Sequence, residues 1–148
     1  MSDTDIIVVT TLKDIFYSIR LIQSRFQAIA SSDNFLEDET GLEKLDSISM
    51  RLIAIGEGFK QIDKLTDHIL LAKYPHIEWK NVKGIRDILS HHYFDIDAEV
   101  IYQVCQYHLM SLLDVTEEMI GLYTVPNEET LQAMKEVEEL IEEIKKDR

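Results

Sequence analysis

The sequence predicts an all-α protein, an up-and-down helical bundle with a short motif-bearing helix and an extra acidic C-terminal helix. Three observations point to this class. Apolar residues recur at spacings of three and four along most of the chain, the period of helices that bury one face. Only five glycines and two prolines interrupt 148 residues, so little breaks long helices. No segment carries the alternating pattern of a half-buried strand, and no internal repeat is evident. A chain of this length builds one domain with a real core and leaves little room for a second. That domain is expected to span residues 1–148, with the core over about 10–123 and the acidic helix over 127–148.

The first helix places Leu12, Ile15, Ile19, Ile22, Phe26 and Ile29 on one seam, with Thr11 and Asp14 spaced as an N-terminal cap. "SSDNFLEDETG" breaks the period and reads as a loop. The second helix carries Leu42, Leu45, Ile48, Leu52, Ile55, Phe59 and Ile62, a heptad-like spacing suited to shallow-angle packing on the first. Gly56 and Gly58 lie inside it, each costing about 1 kcal/mol relative to alanine. They are expected to mark close helix approach or a slight bend. A phosphate loop is disfavoured, because no strand precedes "GEG" and no P-loop lysine follows.

"LAKYPHIEW", with Pro75, reads as a connection with a short helical turn, and a short helix from about Trp79 leads into "GIRDILSHHYFDID". Asp97 is placed to cap the next helix, whose stripe runs Ile101, Val104, His108, Leu112, Val115 and Met119. His108, on that stripe, is expected to be a hydrogen-bonded core histidine. Pro126 and Asn127 open the final helix, with Glu128 and Glu129 at its start and Lys145, Lys146 and Arg148 at its end, matching the helix dipole. Leu131, Met134, Val137, Ile141 and Ile144 form its apolar edge.

A net charge of −13 argues against a protein that coats DNA nonspecifically, because phosphate binding needs concentrated lysine and arginine. The single cysteine, Cys105, permits no internal disulfide and suggests a reducing compartment. The start, "MSDTDIIVVTTLKD", is acidic and its apolar run is short for a signal peptide. No segment reaches the roughly 18 apolar residues of a membrane span. A cytoplasmic protein with no membrane partner is expected. Cys105 and His108 make a lone C-x-x-H without a second pair, and neither H-E-x-x-H nor paired E-x-x-H helices occur, so no metal and no cofactor is expected.

"GIRDILSHHYFDID" concentrates the reactive side chains. On one helix over residues 85–92, Ile85, Ile88, Leu89 and His92 face the bundle, and Arg86, Asp87, Ser90 and His91 face out. Asp87 and His91 are then one turn apart, able to pair and fix the imidazole tautomer. Arg86 and Tyr93 share the adjacent edge. Such a set suits metal-independent cleavage of RNA: a histidine moves protons and an arginine stabilises charge on the phosphate. One histidine serves both transfers poorly, so two copies facing across a dimer would help. Lys73, Lys80, Lys83 and Arg86 against Glu78 and Asp87 give residues 73–92 a local excess of positive charge, a candidate landing site for an anion. Against this stands the plain alternative of an exposed helix face carrying ordinary polar pairs. Tyr102, Tyr107 and Tyr123 read as core or interface residues.

The spacing of Arg86, His91 and Tyr93 resembles the R-x4-H-x-Y signature of the HepT-like branch of the HEPN superfamily. "RLIAIGEGFKQI" is similar to that family's second-helix segment, and "YPHIEWKNVKGIRDILSHHYFDID" to the run through its motif. The similarity covers residues from about 12 to 122. It implies a HEPN-like bundle that is a homodimeric ribonuclease toxin, with Arg86 and His91 as the catalytic pair, Asp87 as their polar neighbour and RNA as substrate. It also implies a nucleotidyltransferase antitoxin that can transfer AMP to Tyr93, blocking RNA by size and charge. Two departures stand out: Asp87 occupies a position where asparagine is frequent, and His92 one where the residue is often small. Helix phase turns His92 toward the core and so favours His91 as the catalytic histidine that the resemblance implies. The rival reading is a non-catalytic helical partner that binds nucleotide or presents substrate to a nucleotidyltransferase. A degenerate member retained as a dimeric scaffold is a third.

Overall fold

The computed structural model describes residues 1–92, 94–123 and 128–146, and for 91, 92 and 128–131 the backbone alone. Its elements are α1 (Asp3–Phe26), α2 (Asn34–Glu37), α3 (Glu39–Leu65), a 3-10 turn at Leu71–Lys73, α4 (Trp79–Lys83) and α5 (Ile85–Leu89). A two-stranded antiparallel hairpin, β1 (Ser90–His92) with β2 (Asp95–Ile96), precedes α6 (Ala98–Tyr107), α7 (Leu109–Tyr123) and α8 (Glu128–Lys146). The all-α bundle is as expected, and the hairpin is an addition to it.

Helix α1 is central, packed along α3 on one side and against α7 and α8 on others. Its seam is as predicted from Leu12 to Ile22, with Leu12, Ile19 and Ile22 fully buried. Its start is not at Thr11. Ser2 and Asp5 form a reciprocal capping box nine residues earlier, and Thr11 Oγ1 donates back to the Ile7 carbonyl at 2.8 Å. Burial of Val8 and Val9 outweighs the weak helix propensity of "IIVVTT". On α3 the run from Leu45 to Ile62 is buried as expected, but Leu42 faces solvent.

The segment expected to be a loop folds into α2 so that Phe35 can be fully buried. Asp38 then caps α3, accepting from the Gly41 N–H at 2.7 Å. Asp97 caps α6 as predicted, accepting from the Val100 N–H at 3.1 Å. The helix that follows breaks at His108, so that Cys105 and Leu109 lie on the buried line. His108 is exposed, contrary to its expected place in the core. Ile141 of α8 is fully buried, and Arg20 on α1 pairs with Glu138 at 2.9 Å. Pro126, Asn127 and Arg148, and the side chain of Leu131, lie outside the described residues. Among the described residues no helix is long and apolar enough to cross a membrane.

Candidate active site

Two five-residue helices bring Arg86 and Asp87 to the surface, and both are too short to hold themselves. Helix α3 holds them. The Trp79 ring lies 5.0 Å from that of buried Phe59, and its Nε1–H donates to the Tyr74 carbonyl at 3.0 Å. Gly56 lets the chain approach closely: a Cβ there would lie 2.6 Å from the Val82 carbonyl oxygen and 2.7 Å from Ile85 Cγ2. The two glycines of "GEG" therefore mark close approach, since Gly58 likewise faces Ile15 of α1. Leu89 plugs the end of α5 into the core at 1% exposure.

Arg86 and Asp87 are both exposed on α5, side by side on its outer face as expected. The helix ends before His91, however. Ser90 is extended at φ −141° and ψ 123°, and β1 begins there. The cause is a competing set of backbone bonds: β1 pairs with β2, and the Asp97 N–H donates to the Leu89 carbonyl at 2.9 Å. That bond satisfies a carbonyl at the end of α5 and sets Asp97 in place as the cap of α6. The helical relation expected between Asp87 and His91 is thus replaced by a helix-to-strand junction. The phase argument that preferred His91 to His92 falls with it, and the choice rests on the R-x4-H spacing. The side chains of His91 and His92, and all of Tyr93, lie outside the described residues. Phe94 is fully exposed at the hairpin turn.

The basic stretch is smaller than its sequence suggests. Lys83 Nζ is bonded to Asp63 Oδ2 at 2.8 Å, and the same oxygen takes His68 Nδ1 at 2.8 Å. Burial alone would raise the Asp63 carboxyl, but the hydrogen bonds and positive charge of Lys83 and His68 outweigh it and hold the group below its ordinary value. Lys73, Lys80 and Arg86 remain exposed. Neither Asp63 nor His68 was singled out by sequence. The one available signal was an acidic residue directly after Ile62 on a buried seam.

Ile88, expected to face the bundle, is 38% exposed. It edges an apolar groove of about 410 Å³ that Gly56, Ile77, Val82, Ile85 and His108 also line. Cys105 is buried, which pushes its thiol up to about 12. Tyr102 packs on Phe26 at 5.3 Å, and Tyr107 is exposed, which removes the core alternative for it and leaves the interface one.

The sequence profile described as Ribonuclease HepT-like matches residues 15–119. A protein of Methanocaldococcus jannaschii named as an inferred RNase, MJ0127, is 30% identical over 112 residues, which is 76% of this chain and 69% of that protein. Two further proteins of that organism, named as the inferred RNases MJ0125 and MJ1216, are each 35% identical over 69 residues, 47% of this chain. Those alignments span 56% and 54% of the relatives' lengths. No solved structure matches the chain.

Proposed function

Because this chain belongs to the HepT-like ribonuclease family, we propose that it is a metal-independent endoribonuclease, active as a homodimer, whose R-x4-H-x-Y motif is Arg86, His91 and Tyr93. The observation that carries this reading is the exposed Arg86 on a helix pinned to the core, three residues before a junction that turns His91 into the hairpin.

In the proposed reaction the ribose 2′-oxygen attacks the adjacent phosphorus and the 5′-oxygen leaves, giving a cyclic phosphate and a free 5′-hydroxyl. His91 takes the 2′-hydroxyl proton, and His91 of the second copy delivers one to the departing oxygen. The Arg86 guanidinium donates to the non-bridging oxygens, where negative charge builds in the transition state. Asp87 is the polar residue that follows the arginine in the motif. A nucleotidyltransferase antitoxin neutralises the enzyme, and AMP on Tyr93 blocks RNA by its size and negative charge.

The test is cleavage of a mixed RNA pool in EDTA by protein made without any nucleotidyltransferase, its intact mass confirming that no AMP is attached. Arg86→Ala and His91→Ala are each expected to lose about 10²–10⁴-fold in rate. Folded, unmodified wild type that leaves RNA intact would refute the enzyme reading. The second reading, a non-catalytic partner that binds nucleotide or presents substrate to a nucleotidyltransferase, draws support from the net charge of −13 and from Lys83 being neutralised by Asp63.

A further inference from the structure

Lys83 and His68 converge on one oxygen of a carboxylate whose side chain is only 8% exposed. A carboxylate so placed is costly unless its partner is held in register, so Asp63 and Lys83 fix each other, while the His68 ring, 77% exposed, is an outer contact on the same oxygen. His68 reaches the site through backbone that few residues adopt. Asp67 and His68 have φ of 53° and 63°, both left-handed and neither a glycine. The His68 N–H donates to the Asp63 carbonyl at 2.8 Å, closing the turn onto the same residue that its ring contacts. Two successive left-handed residues persist only where their surroundings over-determine them.

The position of this cluster gives it a second consequence. Gly56, Phe59 and Asp63 stand at i, i+3 and i+7 on α3 and therefore share one face. Each meets the motif-bearing segment: Gly56 at Val82 and Ile85, Phe59 at Trp79, Asp63 at Lys83. Gly56 and Asp63 are separated by about 10 Å along the helix axis. A short helix held at one point can pivot, whereas a second attachment that far along α3 resists both sliding and pivoting. Lys83 closes α4, and Arg86 follows it by three residues across Gly84.

We propose that Asp63 and Lys83, buttressed by His68, are positioning residues that lock α4 and α5 onto α3 and so fix where Arg86 is presented. The inference rests on Arg86 being part of the active site, and it deepens that reading. It concerns side chains twenty residues apart that no motif joins.

The test compares wild type with Asp63→Asn, Lys83→Met and Lys83→Arg, by amide hydrogen exchange and by steady-state RNA cleavage. Asparagine keeps the shape of Asp63 without charge, methionine keeps the stem of Lys83, and arginine keeps its charge. D63N and K83M are each expected to speed exchange across residues 85–90 about ten-fold or more while α1 stays protected. Both should lower kcat about 10- to 100-fold with KM changed less than about two-fold, since the geometry of the transition state rather than RNA binding is lost. K83R should stay near wild type in both readouts.

Exchange across 85–90 that is unchanged in both neutral variants overturns the proposal. So does faster exchange with unchanged kcat, or an equal loss in K83R and K83M. If D63N fails to fold, K83M and K83R carry the comparison. If wild type cuts no RNA, the enzyme reading fails by itself, and exchange still decides whether the ion pair sets the motif helix.

Discussion

Alanine in place of Gly56 would put a methyl group 2.6 Å from the Val82 carbonyl oxygen and 2.7 Å from Ile85 Cγ2. Ordinary contact begins at 3.4 Å, so α4 and α5 must retreat from α3 by about 0.8 Å. The main obstacle is backbone, which no rotamer change relieves. Alanine gains about 1 kcal/mol of helix propensity, while overpacking of this kind costs about 1–3 kcal/mol. A rigid backbone obstacle puts the cost at about 2–3 kcal/mol, the upper part of that range, so a net loss of about 1–2 kcal/mol is expected. The same retreat displaces Arg86, and misplacement approaching 1 Å costs up to about 10²-fold in rate.

Two other glycines make the comparison internal. At Gly58 the nearest atom is the flexible tip of Ile15, 3.0 Å away, so G58A should be close to neutral. At Gly121 nothing lies within 4 Å, so G121A should gain up to about 1 kcal/mol and leave cleavage unchanged. Urea unfolding midpoints and RNA cleavage by the three variants check the series. A G56A protein as stable as wild type, or a G121A protein as damaged as G56A, would refute the close-approach argument.

Phe35→Ala should cost about 3–5 kcal/mol in urea unfolding, the penalty of emptying a fully buried aromatic site, although the residue lies between two long helices. The Asp63 carboxyl is held below its ordinary value of 3.8. Its stabilising contribution is therefore complete above the unfolded-state value and is lost as pH falls through the lower folded value. Wild type should lose urea stability more steeply than D63N as pH drops below about 4. Cys105, buried and pushed up to about 12, should resist an aromatic disulfide reagent at pH 8 in the native protein and react promptly in urea. Rapid native reaction would show that the α6 end opens readily.

The all-α class, the buried seams of α1 and α3, the Asp97 cap and the apolar edge of α8 were all legible in the sequence. They depend on relations within a few residues, and a period of 3.6 or a cap three residues before its partner is written locally. The exposed pair Arg86 and Asp87 was legible for the same reason. The path of the chain just after them was not. Residues 85–89 continue a helical pattern, and nothing within that window announces that Ser90 will pair with Ile96. The two-point attachment of the motif helices to α3 was equally hidden, because Asp63 and Lys83 become partners only when α4 folds back. His108 shows the same limit: its place on a periodic stripe held only while α6 and α7 were one helix, and the break at that residue turned it outward. The sequence by itself determined the long helices and the seams that α1 and α3 bury, since those depend on neighbours along the chain. Tertiary structure alone decided where a helix stops, which buried charge meets which, and how firmly Arg86 is held, because each of those is set by atoms that are distant in sequence and adjacent in space.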